Sequence, residues 1–246
     1  MDEVELSVVI PAYNEEETIE ASVGDISAYL SGLGLSHEIL IVDDGSSDST
    51  LSVAKSLAGR LPTVRVCHYA PNRGKGCAVR TGVLAAAGRR ILFTDADSST
   101  PIGELPALMS ALDGGYAVAI GSRAVPGAVR TVHQPAYREF GGKVLNLFIQ
   151  LFAVPGIRDT QCGFKLFTKE AAQAIFSRCF IDNFSFDVEV LYLARRLGCK
   201  IAELPVHWAH HEGSRVRPLR DGLRMLLDVL KIRLHDYSLS EDHTAP

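Results

Sequence analysis

Short apolar runs alternate with amphipathic stretches through the first half of the chain. Val4 to Pro11 is a β-branched run closed by proline, which predicts a buried strand. After the polar loop Ala12-Tyr-Asn-Glu-Glu-Glu17, residues Ile19, Val23, Ile26, Tyr29 and Leu30 recur at the spacing of one helical face, so Thr18 to Leu33 is expected to be helical. The same unit then repeats. Glu38 to Gly45 predicts a strand and turn, and Ser46-Ser-Asp-Ser-Thr50 supplies caps for a helix reaching Leu61. Val64 to Tyr69 predicts a third strand, Cys77 to Ala87 a helix of small residues, and Arg90 to Thr94 a fourth strand. Pro101 to Leu112 reads as a helix and Tyr116 to Arg123 as another strand. Elements alternating at this length imply parallel βαβ units with right-handed crossovers, hence an α/β fold on a mostly parallel sheet flanked by helices.

The second half is less regular. Ala124 to Pro135, with its prolines, glycine and Arg130, reads as a mobile loop over the site. Tyr137 to Val154 reads as a helix whose apolar run, Val144 to Val154, is too short to span a bilayer but able to lie on one. Helices are expected over Lys169 to Phe176 and in Phe184 to Arg196, and Lys200 to Trp208 as a last strand. Ser214 to His235 sets Arg and Lys against Leu at helical spacing and predicts a basic amphipathic helix. Most of its length is expected to dock on the core, with its basic end near lipid.

Composition narrows the class. The 246 residues are 47% hydrophobic and 22% charged, ordinary for one large α/β domain. A net charge of -4 gives no basic field of the kind nucleic-acid binding needs, so any anion site is local. Five scattered cysteines, with no Cys-x-x-Cys pair, argue against a disulfide framework or zinc site and favour a reducing, cytoplasmic setting. The acidic start lacks the features of a signal peptide, and no apolar run spans a bilayer. The expectation is a protein that is soluble or peripheral on a membrane.

The candidate chemistry sits where strands end. In an open α/β sheet the carboxyl ends of the strands face the ligand crevice. Asp95 and Asp97 follow the fourth strand, and a one-residue-spaced pair of hard oxygen ligands suits Mg²⁺ or Mn²⁺, whose remaining ligands come from water and substrate phosphate. The competing reading is that Asp97 or Ser98 caps the helix near Pro101. Asn14 and Glu15, Asp43 and Asp44, and the Asn72 to Lys75 loop end at the same edge. Asp44 can accept from a base N–H, Glu15 or Asp95 from ribose hydroxyls, and Lys75 can reach phosphate. Alternatively, Asp44 makes a turn and Asp48 a cap. Gly74-Lys-Gly-Cys77 lacks the spacing of a P-loop, and no Gly-x-Gly-x-x-Gly opens the first helix, so ATPase and dinucleotide readings are weak.

Val9-Ile-Pro-Ala-Tyr-Asn-Glu-Glu16, Ile41-Val-Asp-Asp-Gly-Ser-Ser-Asp48, Asn72-Arg-Gly-Lys-Gly76 and Asp95-Ala-Asp97 resemble, in order, the signatures of the family 2 glycosyltransferases of GT-A fold. Gly121-Ser-Arg123, Asp159 to Phe167, Phe186 to Val190, Val206-His-Trp208 and Gly213-Ser-Arg215 are similar to those of dolichyl-phosphate β-glucosyltransferases, with dolichyl-phosphate mannose synthases next. The resemblance implies inverting transfer of a hexose from a nucleotide sugar to a polyprenyl or dolichyl phosphate at a cytoplasmic membrane face. UDP-glucose is the first choice of donor and GDP-mannose the second. Pro11, Ala12, Tyr13, Glu15, Asp43, Asp44, Lys75, Asp95 and Ala96 are then expected at the nucleotide, with Asp97 as the main metal ligand helped by Asp95.

A lipid phosphate is already an anionic nucleophile, so arginines matter more than a general base. Arg123 and Arg138, with Arg130 and Arg215 as further candidates, are expected to orient it by bidentate bonds. Gln161 and Lys165 are candidates to flank the sugar, and of Asp187 and Glu189, two apart on a helix, at most one lines the site. Residues 1–123 are expected to form the nucleotide-sugar half, 124–212 the acceptor half and 213–246 an amphipathic appendage. A homo-oligomer stays open. The rival readings are an Asp-x-Asp phosphatase, disfavoured by Ser99 at its fifth position, and a non-catalytic nucleotide-sugar-binding protein of the membrane surface.

Overall fold

The computed structural model describes residues 4–130, 148–209 and 218–238. The first half runs β1 (Leu6–Ala12), α1 (Ile19–Gly32), β2 (His37–Asp43), α2 (Thr50–Arg60), β3 (Val64–His68), α3 (Lys75–Ala85), β4 (Arg90–Thr94), α4 (Leu105–Asp113) and β5 (Val118–Ser122). After β6 (Val129–Arg130), residues 148–152 are helical (α5), followed by β7 (Phe164–Thr168), α6 (Lys169–Phe176), α7 (Phe186–Arg196), β8 (Ile201–Pro205), β9 (His207–Trp208) and α8 (Pro218–Leu234).

Seven strands form one sheet in the order β3-β2-β1-β4-β7-β5-β8. All pairings are parallel except those of β7, which runs antiparallel between β4 and β5. The parallel βαβ pattern therefore holds for the first half and is interrupted by one reversed strand. Both faces are covered, which is why the strands read as continuous apolar runs rather than alternating ones. Leu6, Val8 and Ile10 pack with α1, α2 and α4 on one side. Val9, Leu40 and Val42 pack with α3, α6 and α7 on the other. Each such fully buried aliphatic side chain contributes about 1.5–3 kcal/mol of transfer free energy. The strand order reverses between β1, beside β2, and β4, and ligands of open sheets bind at such a switch point.

Two expectations change. The single strand over Lys200 to Trp208 is two: β8 pairs with β5, the chain breaks at Val206, and β9 pairs with β6 in a separate two-stranded ribbon. Residues 129–130, read as mobile loop, are therefore held in register with 207–208. The helix expected from Tyr137 to Val154 is described only from residue 148, and its earlier part lies outside the described residues, as does 131–135 of the loop. α8 docks through Met225, Val229 and Ile232 on the core.

Candidate active site

The turns after β1 and β2 are built as one unit. Asn14, in the left-handed region at φ 52°, accepts from Ser47 N at 2.7 Å and donates its own N–H to Ser46 Oγ, while Glu15 N donates to Thr50 Oγ1 at 2.7 Å. Asp48 accepts from Thr50 and Glu16, so its role is to tie the two turns together. Glu15 accepts from Thr18 Oγ1 at 2.8 Å on the rim of this unit. Pro11 and Ala12, which lead into it, are buried, and Tyr13 is half-buried.

The two acids at the end of β2 are both buried. Asp43 is fully buried and hydrogen-bonds His68 Nδ1 at 2.7 Å through Oδ2. Asp44 accepts from Asn72 Nδ2 at 2.7 Å, Arg73 N at 2.8 Å and Gly74 N at 2.8 Å. A carboxylate has about four acceptor sites, so anchoring the 72–74 loop takes most of its capacity. Gly74 is needed there, with φ 111° and a Cβ that would run into the Asp182 carbonyl. The chain then enters α3, and Lys75 is its first residue rather than part of the loop.

β4 delivers Asp95 and Asp97. Asp97 accepts from Ser99 N at 2.9 Å and does not cap the following helix, whose first turn carries no side-chain cap. Asp95 receives Lys75 Nζ at 2.6 Å. Its carboxylate fills a cradle that glycine leaves open: a Cβ on Gly163 would overlap both of its oxygens. Beside it, buried Lys165 donates to Asp187 Oδ1 at 2.5 Å and to the Cys162 carbonyl at 2.6 Å. Both ammonium groups lie over the Phe93 ring, at 5.4 Å and 5.7 Å. Burial works against the charge on Lys75, but Asp95, Asp187 and Asp97 outweigh it and hold its pKa above the usual lysine range. Burial pushes the Asp187 carboxyl up, against the pull of Lys165 and Lys75. Glu189, one face away, accepts instead from Phe180 N, Ile181 N and Tyr237 Oη.

Arg123, at the end of β5, forms a bidentate pair with Asp159 (Nε to Oδ2 2.7 Å, Nη2 to Oδ1 2.9 Å) and lies over Trp208 at 5.3 Å. Burial alone would raise the Asp159 carboxyl, yet Arg123 brings it down to about 2. Asp95 is among the charges that raise the Arg123 pKa, so this pair and the β4 acids act on one another. Gln161 is exposed, its side-chain amide 3.6 Å from Met225 Sδ, and its backbone N–H donates to Asp159 Oδ1 at 3.2 Å. Arg138 and Arg215 lie outside the described residues, and of Arg130 only the backbone is described. Ala96 is buried between the two acids of β4. Asp159 and Gly163 were missed as site residues. Their signal is only their place in the Asp159-Thr-Gln-Cys-Gly163 run, because their partners are distant in sequence.

The Glycosyl transferase family 2 model matches residues 7–176. A dolichyl-phosphate β-glucosyltransferase of Dictyostelium discoideum is 37% identical over 95% of this chain and 75% of its own length. That of Mus musculus is 39% identical over 94% of this chain and 75% of its own length. Among solved structures, mannosyl-3-phosphoglycerate synthase from Rubrobacter xylanophilus is similar at TM-score 0.70 with 20% identity, covering 93% of this chain and 72% of that one. Glucosyl-3-phosphoglycerate synthase from Mycobacterium tuberculosis, crystallised with Mn²⁺, UDP-glucose and glycerol 3-phosphate, is similar at TM-score 0.68 with 23% identity, covering 93% and 78%.

Proposed function

The chain belongs to glycosyl transferase family 2 and is a glycosyltransferase, and from that premise we propose that it transfers glucose from UDP-glucose to a dolichyl or other polyprenyl phosphate, with inversion, at the cytoplasmic face of a membrane. The observation that carries the reading is the pair of ion pairs beside the β1–β4 switch point, Lys75 with Asp95 and Lys165 with Asp187, whose two ammonium groups share the Phe93 ring. Such a cluster suits a diphosphate and its counter-ion.

The residues fit Mg²⁺ or Mn²⁺. Asp95 and Asp97, one residue apart after β4, offer hard oxygens, and the carboxylate of Asp95 is held in place against Gly163. A divalent ion bound there would offset charge developing on the departing nucleoside diphosphate. In this reading Glu15 and Tyr13 contact the nucleoside, Asp44 holds the 72–74 loop beneath it, and Lys75 turns to its phosphates. Arg123, fixed by Asp159, orients the acceptor phosphate for in-line attack on the anomeric carbon. That phosphate is anionic at neutral pH, so no side chain needs to remove a proton. Lys165 and Asp187 hold the wall beneath the sugar.

In this reading residues 1–123 serve the donor, 124–212 the acceptor, and 213–246 the membrane. No helix among the described residues is long and apolar enough to cross a bilayer. α8 nevertheless has a second apolar face: Leu223, Leu227, Leu230 and Leu234 are exposed opposite the docked side, flanked by Arg224, Lys231 and Arg233. A helix apolar on both sides with cations along its edge fits an anionic lipid surface. The donor is tested by calorimetry in Mn²⁺: tight binding of UDP over GDP is expected, and preference for GDP overturns the choice of base.

A further inference from the structure

We infer that Lys75 is the resident counter-ion of Asp95, which a divalent cation has to displace, so that metal and nucleotide diphosphate bind together and neither binds well alone. This rests on the metal-dependent reading above and adds an order of binding to it.

The Lys75 ammonium sits 2.6 Å from Asp95 Oδ1, and both side chains are mostly buried, at 23% and 29% exposure. A partly buried carboxylate stripped of its partner is costly, so the contact is the ground state of the empty crevice. Charge then decides what can replace it. Two ammonium groups face three carboxylates, Asp95, Asp97 and Asp187, leaving one negative charge in excess. A divalent ion added alone turns this into one positive charge in excess and sets Lys75 beside a like charge. An ion arriving with a diphosphate of two negative charges restores the original balance and gives Lys75 a new anionic partner. Among the described residues no group of three acidic, histidine or cysteine side chains is placed to hold a metal unaided, so oxygens from the diphosphate are needed to complete a shell.

The two lysines are built for different parts. Lys165 is held at both Asp187 and the Cys162 carbonyl, on a strand in the middle of the sheet. Lys75 is held at its head by Asp95, while its backbone is fixed by neighbours: Gly76 N donates to the Asp182 carbonyl at 2.8 Å, and a Cβ on Gly76 would meet Phe186 Cβ at 2.7 Å. A four-carbon stem on a fixed backbone lets the ammonium swing from carboxylate to phosphate without moving α3.

The test measures Mn²⁺ affinity of the full chain by calorimetry, with and without UDP. In the unaltered protein Mn²⁺ should bind much more weakly without UDP than with it. Lys75→Met should bind Mn²⁺ about tenfold or more tightly in the absence of nucleotide, as removal of one unit charge at contact distance from the ion requires. The same variant should bind UDP more weakly. Lys75→Arg should keep the weak Mn²⁺ binding, and adding Asp95→Asn to Lys75→Met should cancel the gain. Lys75→Gln replaces the methionine variant if a thermal melt shows that it is misfolded. Unchanged Mn²⁺ affinity in the neutral variants, or equal affinity with and without UDP in the unaltered protein, overturns the inference while leaving a metal-dependent transferase standing. No Mn²⁺ binding under any condition overturns both.

Discussion

Gly163→Ala isolates the placement of Asp95 from its chemistry. Gly163 does not occupy the left-handed region, so alanine is allowed by the backbone, and the effect comes from the added methyl alone. That methyl would stand 2.6 Å from Asp95 Oδ1 and nearer still to Oδ2, where ordinary contact begins at 3.4 Å. Restoring contact moves the carboxylate by about 1 Å, and a displacement of that size at a reacting centre costs on the order of a hundredfold in rate. The Asp95 N–H to Gly163 carbonyl bond, 3.2 Å, ties the two backbones together, so the side chain rather than the strand must give. Overpacking of this kind costs about 1–3 kcal/mol of stability, which a folded domain survives. The assay is kcat/KM for glucose transfer with Mn²⁺ in excess, beside a thermal melt. A fall of about a hundredfold with a modest drop in Tm is expected. An unchanged kcat/KM would show that the position of Asp95 does not matter to the reaction.

Three other outcomes follow from the same geometry. Asp97→Ala should abolish transfer and leave the fold intact, since the carboxylate accepts from Ser99 N within its own turn; measurable turnover at saturating Mn²⁺ refutes its role. Asp159→Asn should destabilise the neutral protein by about 2 kcal/mol, because a carboxyl held at about 2 rather than 3.8 stabilises above its ordinary pKa and loses that contribution as pH falls from about 4 to about 2. Its denaturation curve should thus be flatter than the parent's across that acid window, and the acceptor KM should rise more than the donor KM as Arg123 loses its guide. Replacing Leu227 and Leu230 by Ser should lower binding to anionic vesicles without changing UDP affinity; unchanged vesicle binding removes α8 from the membrane.

The first half of the fold was legible because its strands are buried on both faces and its helices carry one clear stripe. Val8 and Val9 face opposite cores, so the run gives no alternation and reads as a parallel strand, while Ile19, Val23, Ile26 and Leu30 mark α1. β7 was not legible as a central strand. Lys165 interrupts its apolar run, and nothing local reveals that Asp187, 22 residues later, neutralises it in the core. The divergence of Asp187 from Glu189 follows from helical geometry, and the structure sends them to different partners. Asp44 illustrates the opposite case. Its place at a strand end was readable, but its three bonds to the 72–74 loop depend on how two distant turns meet. Arg123 likewise showed itself as a cation at a strand end, whereas Asp159, 36 residues away, could only be paired with it once β5 and the segment before β7 were side by side.

The most direct measurement is turnover of the purified chain with Mn²⁺, a short polyprenyl phosphate, and UDP-glucose or GDP-mannose in parallel, with lipid-linked hexose identified by mass and anomeric configuration. The account predicts a β-linked glucosyl lipid phosphate from UDP-glucose, absent when metal is chelated. No product from either donor, in a protein that binds UDP and Mn²⁺, would contradict it.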